Sequence, residues 1–167
     1  MTTTSGFKWA LKTFAFGIPV GVTFIDVFGY VAKVEGHSMQ PLLNPDHHHY
    51  NSKRKCDYVF LYNWPIITNS FDSIEKGEVI ALVSPRDPKQ RLIKRVVGLG
   101  GDIVETKGYF KKRIEIPPGH CWVEGDNHGH SLDSNVFGPV ALGLIKSKAT
   151  CIVWPPKRMG FLKPTEV

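Results

Sequence analysis

Two textures of hydrophobicity divide the chain. Residues 14–32 (FAFGIPVGVTFIDVFGYVA) form a nearly unbroken apolar run in which Asp26 is the only charge. These 19 residues, at about 1.5 Å each, just cross a hydrocarbon core of about 30 Å. Gly17, Pro19 and Gly21 weaken a soluble helix but are tolerated in a membrane helix. Asp26 falls toward one end, where a charge costs less than at the centre. No Ala-x-Ala-like site follows, which argues against a cleaved leader. The run therefore predicts a single membrane anchor within an N-terminal segment, residues 1–33. The competing reading is a buried hairpin or helix of a soluble core. Lys8 and Lys12, with no acid before Asp26, place the N-terminus on the side of the membrane that retains positive charge.

Beyond the anchor the period changes from an apolar block to short alternating or apolar runs. Residues 30–35, 57–62, 79–83, 91–97, 102–106, 113–116, 121–124, 139–144 and 149–154 read as strands, separated by Gly, Pro and Asp signals. No 3.6-residue stripe follows the anchor and no internal repeat is present. The pattern predicts a mainly β domain over residues 34–167. Residues 44–55 are polar and contain Pro45, Asp46 and the tract His47, His48, His49, so they read as a loop. Adjacent histidines point in alternating directions and lack ligand spacing, so no metal site is expected there. After Trp154 the tail reads as irregular, because Pro155 and Pro156 withhold backbone donors.

Composition narrows the partners. A length of 167 residues suits one domain with an appendage, and 42% hydrophobic with 22% charged residues is ordinary globular usage. The net charge of +6 is compatible with nucleic acid or an anionic membrane surface and selects neither. A nucleic-acid face would interleave aromatic with basic residues. Trp64, Trp122 and Trp154 lack such neighbours, apart from Lys157 and Arg158, so nucleic acid is not an expected partner. The 3 cysteines, Cys56, Cys121 and Cys151, contain no CxxC pair, which argues against a disulfide framework and a zinc ribbon.

Candidate chemistry lies in three separated blocks. Gly36-His37-Ser38-Met39-Gln40-Pro41 follows the apolar segment directly. A serine hydroxyl is a poor nucleophile unless a base takes its proton. The chain has 7 histidines, but three sit in the polar loop, His120 closes a Pro117-Pro118-Gly119 turn, and His128 and His130 flank Gly129. None of these must lie near Ser38. Lys94 sits inside Leu92-Ile93-Lys94-Arg95-Val96-Val97 and admits two readings. Turned inward by the pleat, it would lose solvation, its pKa would fall from about 10.4, and the neutral amine would serve as general base. Turned outward, Lys94 and Arg95 would be a solvated pair, which the strand alone favours. The third block, Gly125-Asp126-Asn127-His128-Gly129-His130-Ser131-Leu132-Asp133-Ser134-Asn135, suits a turn held by Asx-type bonds. Its functional reading gives Ser131 the task of holding a lysine amine.

Taken together, Ser38-Met39-Gln40-Pro41, Lys94-Arg95-Val96-Val97-Gly98 with Gly101-Asp102, and Gly125-Asp126-Asn127 with Ser131, Asp133 and Ser134 resemble the ordered motifs of the type I signal peptidases. Lysine rather than histidine at position 94 points to the bacterial or organellar branch. The compact size, the Gly125–Ser131 variant and the ending Ile152-Val153-Trp154-Pro155-Pro156 are similar to its mitochondrial members. The resemblance implies a signal-peptidase-type β-sheet catalytic domain behind one membrane helix. It makes Ser38 the nucleophile, Lys94 the general base, Ser131 the residue that orients the lysine and Asp133 the acid that buttresses the site, with Arg95 in support. The family's oxyanion hole adds a serine hydroxyl from two residues before the nucleophile. Here that position is Gly36, and losing one such donor is worth ~3 kcal/mol in other enzymes. Bacterial members also carry arginine two residues beyond the aspartate, where this chain has Asn135.

The activity so implied is removal of signal or sorting peptides from precursor polypeptides, after a small residue, without metal or organic cofactor. The implied setting is the mitochondrial inner membrane, with the catalytic domain in the intermembrane space and a related peptidase subunit as partner. A bacterial-type signal peptidase is one alternative, and a non-catalytic scaffold subunit, for which Gly36 speaks, is another. A self-cleaving repressor-type Ser-Lys protease would need a DNA-binding helical domain where the apolar anchor stands.

Overall fold

The computed structural model describes residues 3–45, 56–68 and 73–165; the tract His47, His48, His49 lies outside them. Helix α1 (Thr3–Phe28) takes in most of the apolar run, and its described side chains from Lys12 to Ile25 are all exposed. It ends at Phe28 rather than continuing to Ala32. Gly29 turns the chain with φ 136°, packed so tightly on the Leu61 carbonyl that a Cβ would collide with it. That left-handed backbone is natural for glycine alone. The next five residues are β1 (Gly29–Lys33). The predicted span at residues 14–32 is corrected accordingly, and among the described residues no helix is long and apolar enough to cross a membrane.

The remainder is mainly β. Strands β2 (Tyr58–Tyr62), β3 (Val79–Val83), β4 (Arg91–Leu99) and β7 (His120–Glu124) are joined by β8 (Val140–Ala141), β9 (Ile145–Trp154) and β10 (Gly160–Phe161). Their order is β1-β2-β9-β3-β4-β7-β8, with β10 beside β9, and every pairing is antiparallel. A separate hairpin pairs β5 (Ile103–Glu105) with β6 (Arg113–Glu115). Short helices α2 (Trp64–Ile67) and α3 (Ser134–Phe137) complete the elements.

Strand β3 shows why this sequence makes a two-faced sheet. Its residues Val79 and Ala81 enter one core cluster, with Val34, Met39, Leu43, Val59 and Leu61. Ile80 and Leu82 enter the other, with Leu92, Val96, Cys121, Val123 and Ile145. Side chains alternate across a strand, so VIALV buried on both faces carries no polar alternation. The sheet also curls on itself. Arg91 Nη1 of β4 donates to the Tyr30 hydroxyl of β1 at 2.6 Å, although three strands separate β1 from β4 in the sheet order. Beyond the sheet, Trp122 packs with Val104 and Ile116 and meets Tyr109 edge-on at 5.5 Å, which docks the β5–β6 hairpin.

Candidate active site

Ser38 lies in the turn that follows β1. That turn is pinned by Asn44, a fully buried residue with φ 54°. Its Nδ2 donates to the carbonyls of Val34 at 2.9 Å and Gly36 at 3.2 Å. Its Oδ1 accepts from the Asp57 backbone N–H, and its own N–H donates to Asp57 Oδ2, each at 2.7 Å. Gln40 Nε2 donates to the Asn44 carbonyl at 2.6 Å. Arg158 closes the network, donating to Asp57 Oδ2 at 2.8 Å and to the Leu42 carbonyl at 2.6 Å. Asparagine tolerates the left-handed region better than most residues and supplies both a donor and an acceptor. Nothing in the sequence pattern singled out Asn44, Asp57 or Arg158; an Asn-Pro dipeptide reads first as a loop.

Lys94, in the middle of β4, is only 2% exposed, so the inward reading of its strand holds. Its Nζ donates to Ser38 Oγ at 2.6 Å. Burial pushes the amine down from the ordinary 10.5 to about 8, while the carboxylates of Asp133 and Asp126 pull it upward. Arg95 is buried as well. It grips Asp126 through two bonds, Nε to Oδ1 at 2.8 Å and Nη2 to Oδ2 at 2.7 Å, and donates to the Gly77 carbonyl at 2.6 Å.

The Gly125-Asp126-Asn127 turn is thereby clamped to β4 and laid against the serine. The Asn127 N–H donates to the Ser38 carbonyl at 3.0 Å. A side chain on Gly125 would collide with that carbonyl and with Ser131 Oγ, which explains glycine there. Buried Asp133 accepts from the Gly125 N–H at 3.1 Å and caps α3 through the Asn135 N–H. Asn135 Nδ2 bonds both Asp133 Oδ1, at 3.2 Å, and Glu124 Oε1, at 3.0 Å. Asn135, at the position compared above with the arginine of bacterial members, thus meets Asp133 through amide hydrogen bonds rather than an ion pair. Ser131 Oγ is buried against Gly125 without a hydrogen-bond partner and makes no bond to Lys94.

Gly36 is exposed with φ 92°, and no heavy atom lies within 4 Å of where its Cβ would be. A serine there would pay for a left-handed backbone. Six of the residues singled out in the sequence, Gly36, Ser38, Lys94, Arg95, Ser131 and Asp133, thus lie on three segments that the fold brings together. A cleft of about 560 Å³ opens beside Ser38 and Lys94, walled by β1 and the turn after it, by β4, and by His130 and Leu132.

The mainly β core thus sets a serine hydroxyl against a buried lysine amine. The chain belongs to the signal peptidase family, peptidase S26, whose model matches residues 7–110 and 108–154, and it is a serine peptidase of that family. Mitochondrial inner membrane protease subunit 2 of Mus musculus is 49% identical over 152 residues, covering 91% of this chain and 82% of its own. The subunit 2 of Saccharomyces cerevisiae is 40% identical over 144 residues, covering 86% and 78%. Subunit 1 of Mus musculus is also related, at 35% over 160 residues, covering 94% and 88%. A signal peptidase I structure from Enterococcus faecalis overlaps 47% of this chain and 97% of its own, with a TM-score of 0.41 and 24% identity.

Proposed function

We propose that the chain is a membrane-tethered endopeptidase that removes sorting peptides from precursors by a Ser38–Lys94 dyad. One observation carries this reading: the Lys94 amine lies 2.6 Å from Ser38 Oγ and has been brought by burial to about 8. A pKa of about 8 leaves a minor neutral fraction near neutral pH that grows as the pH rises, and that fraction is a competent base. In the neutral form it accepts the Ser38 proton as Oγ attacks the scissile carbonyl. It then hands that proton to the leaving amine, leaving an ester on Ser38. In the second half it draws a proton from water, whose oxygen attacks the ester carbonyl; the C–Oγ bond breaks, the lysine returns the proton to Ser38 Oγ, and the peptide leaves with a free carboxyl group. Asp133 and Arg95 act on the Gly125-Asp126-Asn127 turn that abuts Ser38, as positioning residues. Ser131 Oγ, buried beside Gly125 without a hydrogen-bond partner, is the hydroxyl this reading assigns to orienting the lysine. With Gly36 lacking a side chain, position 36 supplies no hydroxyl to the oxyanion, and the second donor comes from another group or from water.

The same reading divides the chain into an N-terminal tether that ends with α1 at Phe28 and a peptidase domain; the expected boundary between residues 33 and 34 moves back to Gly29, because β1 pairs with β2 in the main sheet and lines the cleft. The tether is α1, which leaves Phe14, Phe16, Ile18, Val20, Val22, Phe24 and Ile25 exposed around its circumference, apolar surface that favours lipid over water. By likeness to its relatives, the setting is the mitochondrial inner membrane with the catalytic domain toward the intermembrane space, next to a related subunit 1. The substrates are precursors carrying a small residue before the cut. The test is precursor processing in membranes depleted of this chain. Wild type should restore cleavage and Ser38→Ala should not; restoration by Ser38→Ala would make the chain a scaffold rather than the peptidase.

A further inference from the structure

The cleft beside the dyad is charged in one sense. Lys33, Arg91, Lys94 and Lys146 line it against a single carboxylate, Glu35. Glu35 is already taken by Lys33 at 2.8 Å. Arg91 and Lys146 are both exposed, and among the described residues neither has a carboxylate partner. Arg91 is also held in place. Its Nη1 is anchored on the Tyr30 hydroxyl of β1 at 2.6 Å, both residues lining the cleft, which leaves its other donors open. A guanidinium fixed at one corner loses less freedom when its remaining N–H groups meet a planar carboxylate.

We infer that Arg91, seated on Tyr30 and sharing the cleft with Lys146, is a specificity residue that selects substrates with an acidic side chain near the cleavage site. This rests on the peptidase reading above and names its substrate class more closely. The position follows from strand geometry. Arg91 stands three residues before Lys94 on the same strand, about 10 Å along the backbone at roughly 3.3 Å per residue, and by the alternation of the strand it shares a face with Ile93, which also lines the cleft. An extended peptide lying along β4 therefore presents to Arg91 the side chain about three residues from the scissile bond.

The experiment compares kcat/KM of the full chain, in detergent with its proposed partner subunit, on matched peptides. Each peptide carries Asp, Asn or Lys at the third residue before or after a fixed cleavage site. Wild type should favour Asp over Lys by about fivefold at one of these positions, the scale of a partly solvated ion pair, and the ratio should fall as salt rises. Arg91→Met should bring the ratio toward one, Arg91→Glu should invert it, and Tyr30→Phe should reduce it without inversion. Equal cleavage of the Asp and Lys peptides by wild type, or a ratio unmoved in Arg91→Glu, overturns the inference while leaving the peptidase reading intact. Failure of wild type to cut even the Asn peptides overturns the peptidase reading and the inference with it.

Discussion

Replacing Lys94 by methionine should abolish cleavage and at the same time stabilise the fold at neutral pH. The lysine is 2% exposed and its pKa falls from 10.5 to about 8 because burial penalises the ammonium. At about 1.4 kcal/mol per unit, holding the charged form in place costs about 3 kcal/mol below pH 8. Methionine keeps the aliphatic stem and removes the charge, and it forfeits the bond to Ser38, worth about 1 kcal/mol. The net gain is about 2 kcal/mol, or roughly 4–8 °C in Tm for a chain of this size. The folded pKa lies below the unfolded one, so between pH 8 and 10.5 the unfolded chain binds the proton more tightly. Wild-type stability attributable to Lys94 therefore rises with pH through this window. The advantage of Lys94→Met should be largest at pH 6–7 and should shrink toward pH 10. Thermal unfolding of both proteins in the same detergent at pH 6.5 and 10 measures the difference, with groups common to both cancelling. A variant less stable than wild type at pH 6.5, or a gain that does not shrink on raising the pH, would refute the reasoning.

Other perturbations separate the parts of the site. Asp133→Asn removes a carboxylate that pulls the Lys94 amine upward, so the rising limb of the kcat/KM profile should move to lower pH, read directly from a pH series. Gly125→Ala drives a methyl group into the Ser38 carbonyl and Ser131 Oγ; cleavage should drop at least 100-fold while circular dichroism keeps its β signature, a loss of about 3 kcal/mol of transition-state stabilisation. Asn44→Ala strands the buried Asp57 N–H and the Val34 carbonyl and should cost about 2–4 kcal/mol in denaturant unfolding, with a Cβ-bearing residue still held at positive φ.

Strands whose burial follows simple periodicity are legible in the sequence. The run VIALV maps onto β3 residue for residue, and the runs at 57–62, 91–97 and 121–124 overlap β2, β4 and β7. Two kinds of feature escaped. Strand β9 begins at Ile145, earlier than expected, because Lys146 and Lys148 interrupt its apolar pattern; Lys148 is accommodated by an ion pair with buried Glu78. The tail after Trp154 was expected to be irregular, yet Gly160 and Phe161 pair with β9 and the Thr165 N–H reaches the Gly77 carbonyl at 3.3 Å. Such long-range backbone pairing carries no local signature. For the site, the order of three motifs located Ser38, Lys94 and Asp133, and the strand by itself left Lys94 undecided between inward and outward. Asn44 and Arg158 were invisible for the same reason: their importance lies in partners far along the chain.

The account stands most directly on the identity of the nucleophile. Acid quenching of the wild-type enzyme during turnover, followed by peptide mapping in a mass spectrometer, should find the leader fragment of the substrate esterified to Ser38. The same protocol on Lys94→Ala should find no adduct. An adduct on any other residue, or undiminished cleavage by Ser38→Ala, would contradict the account.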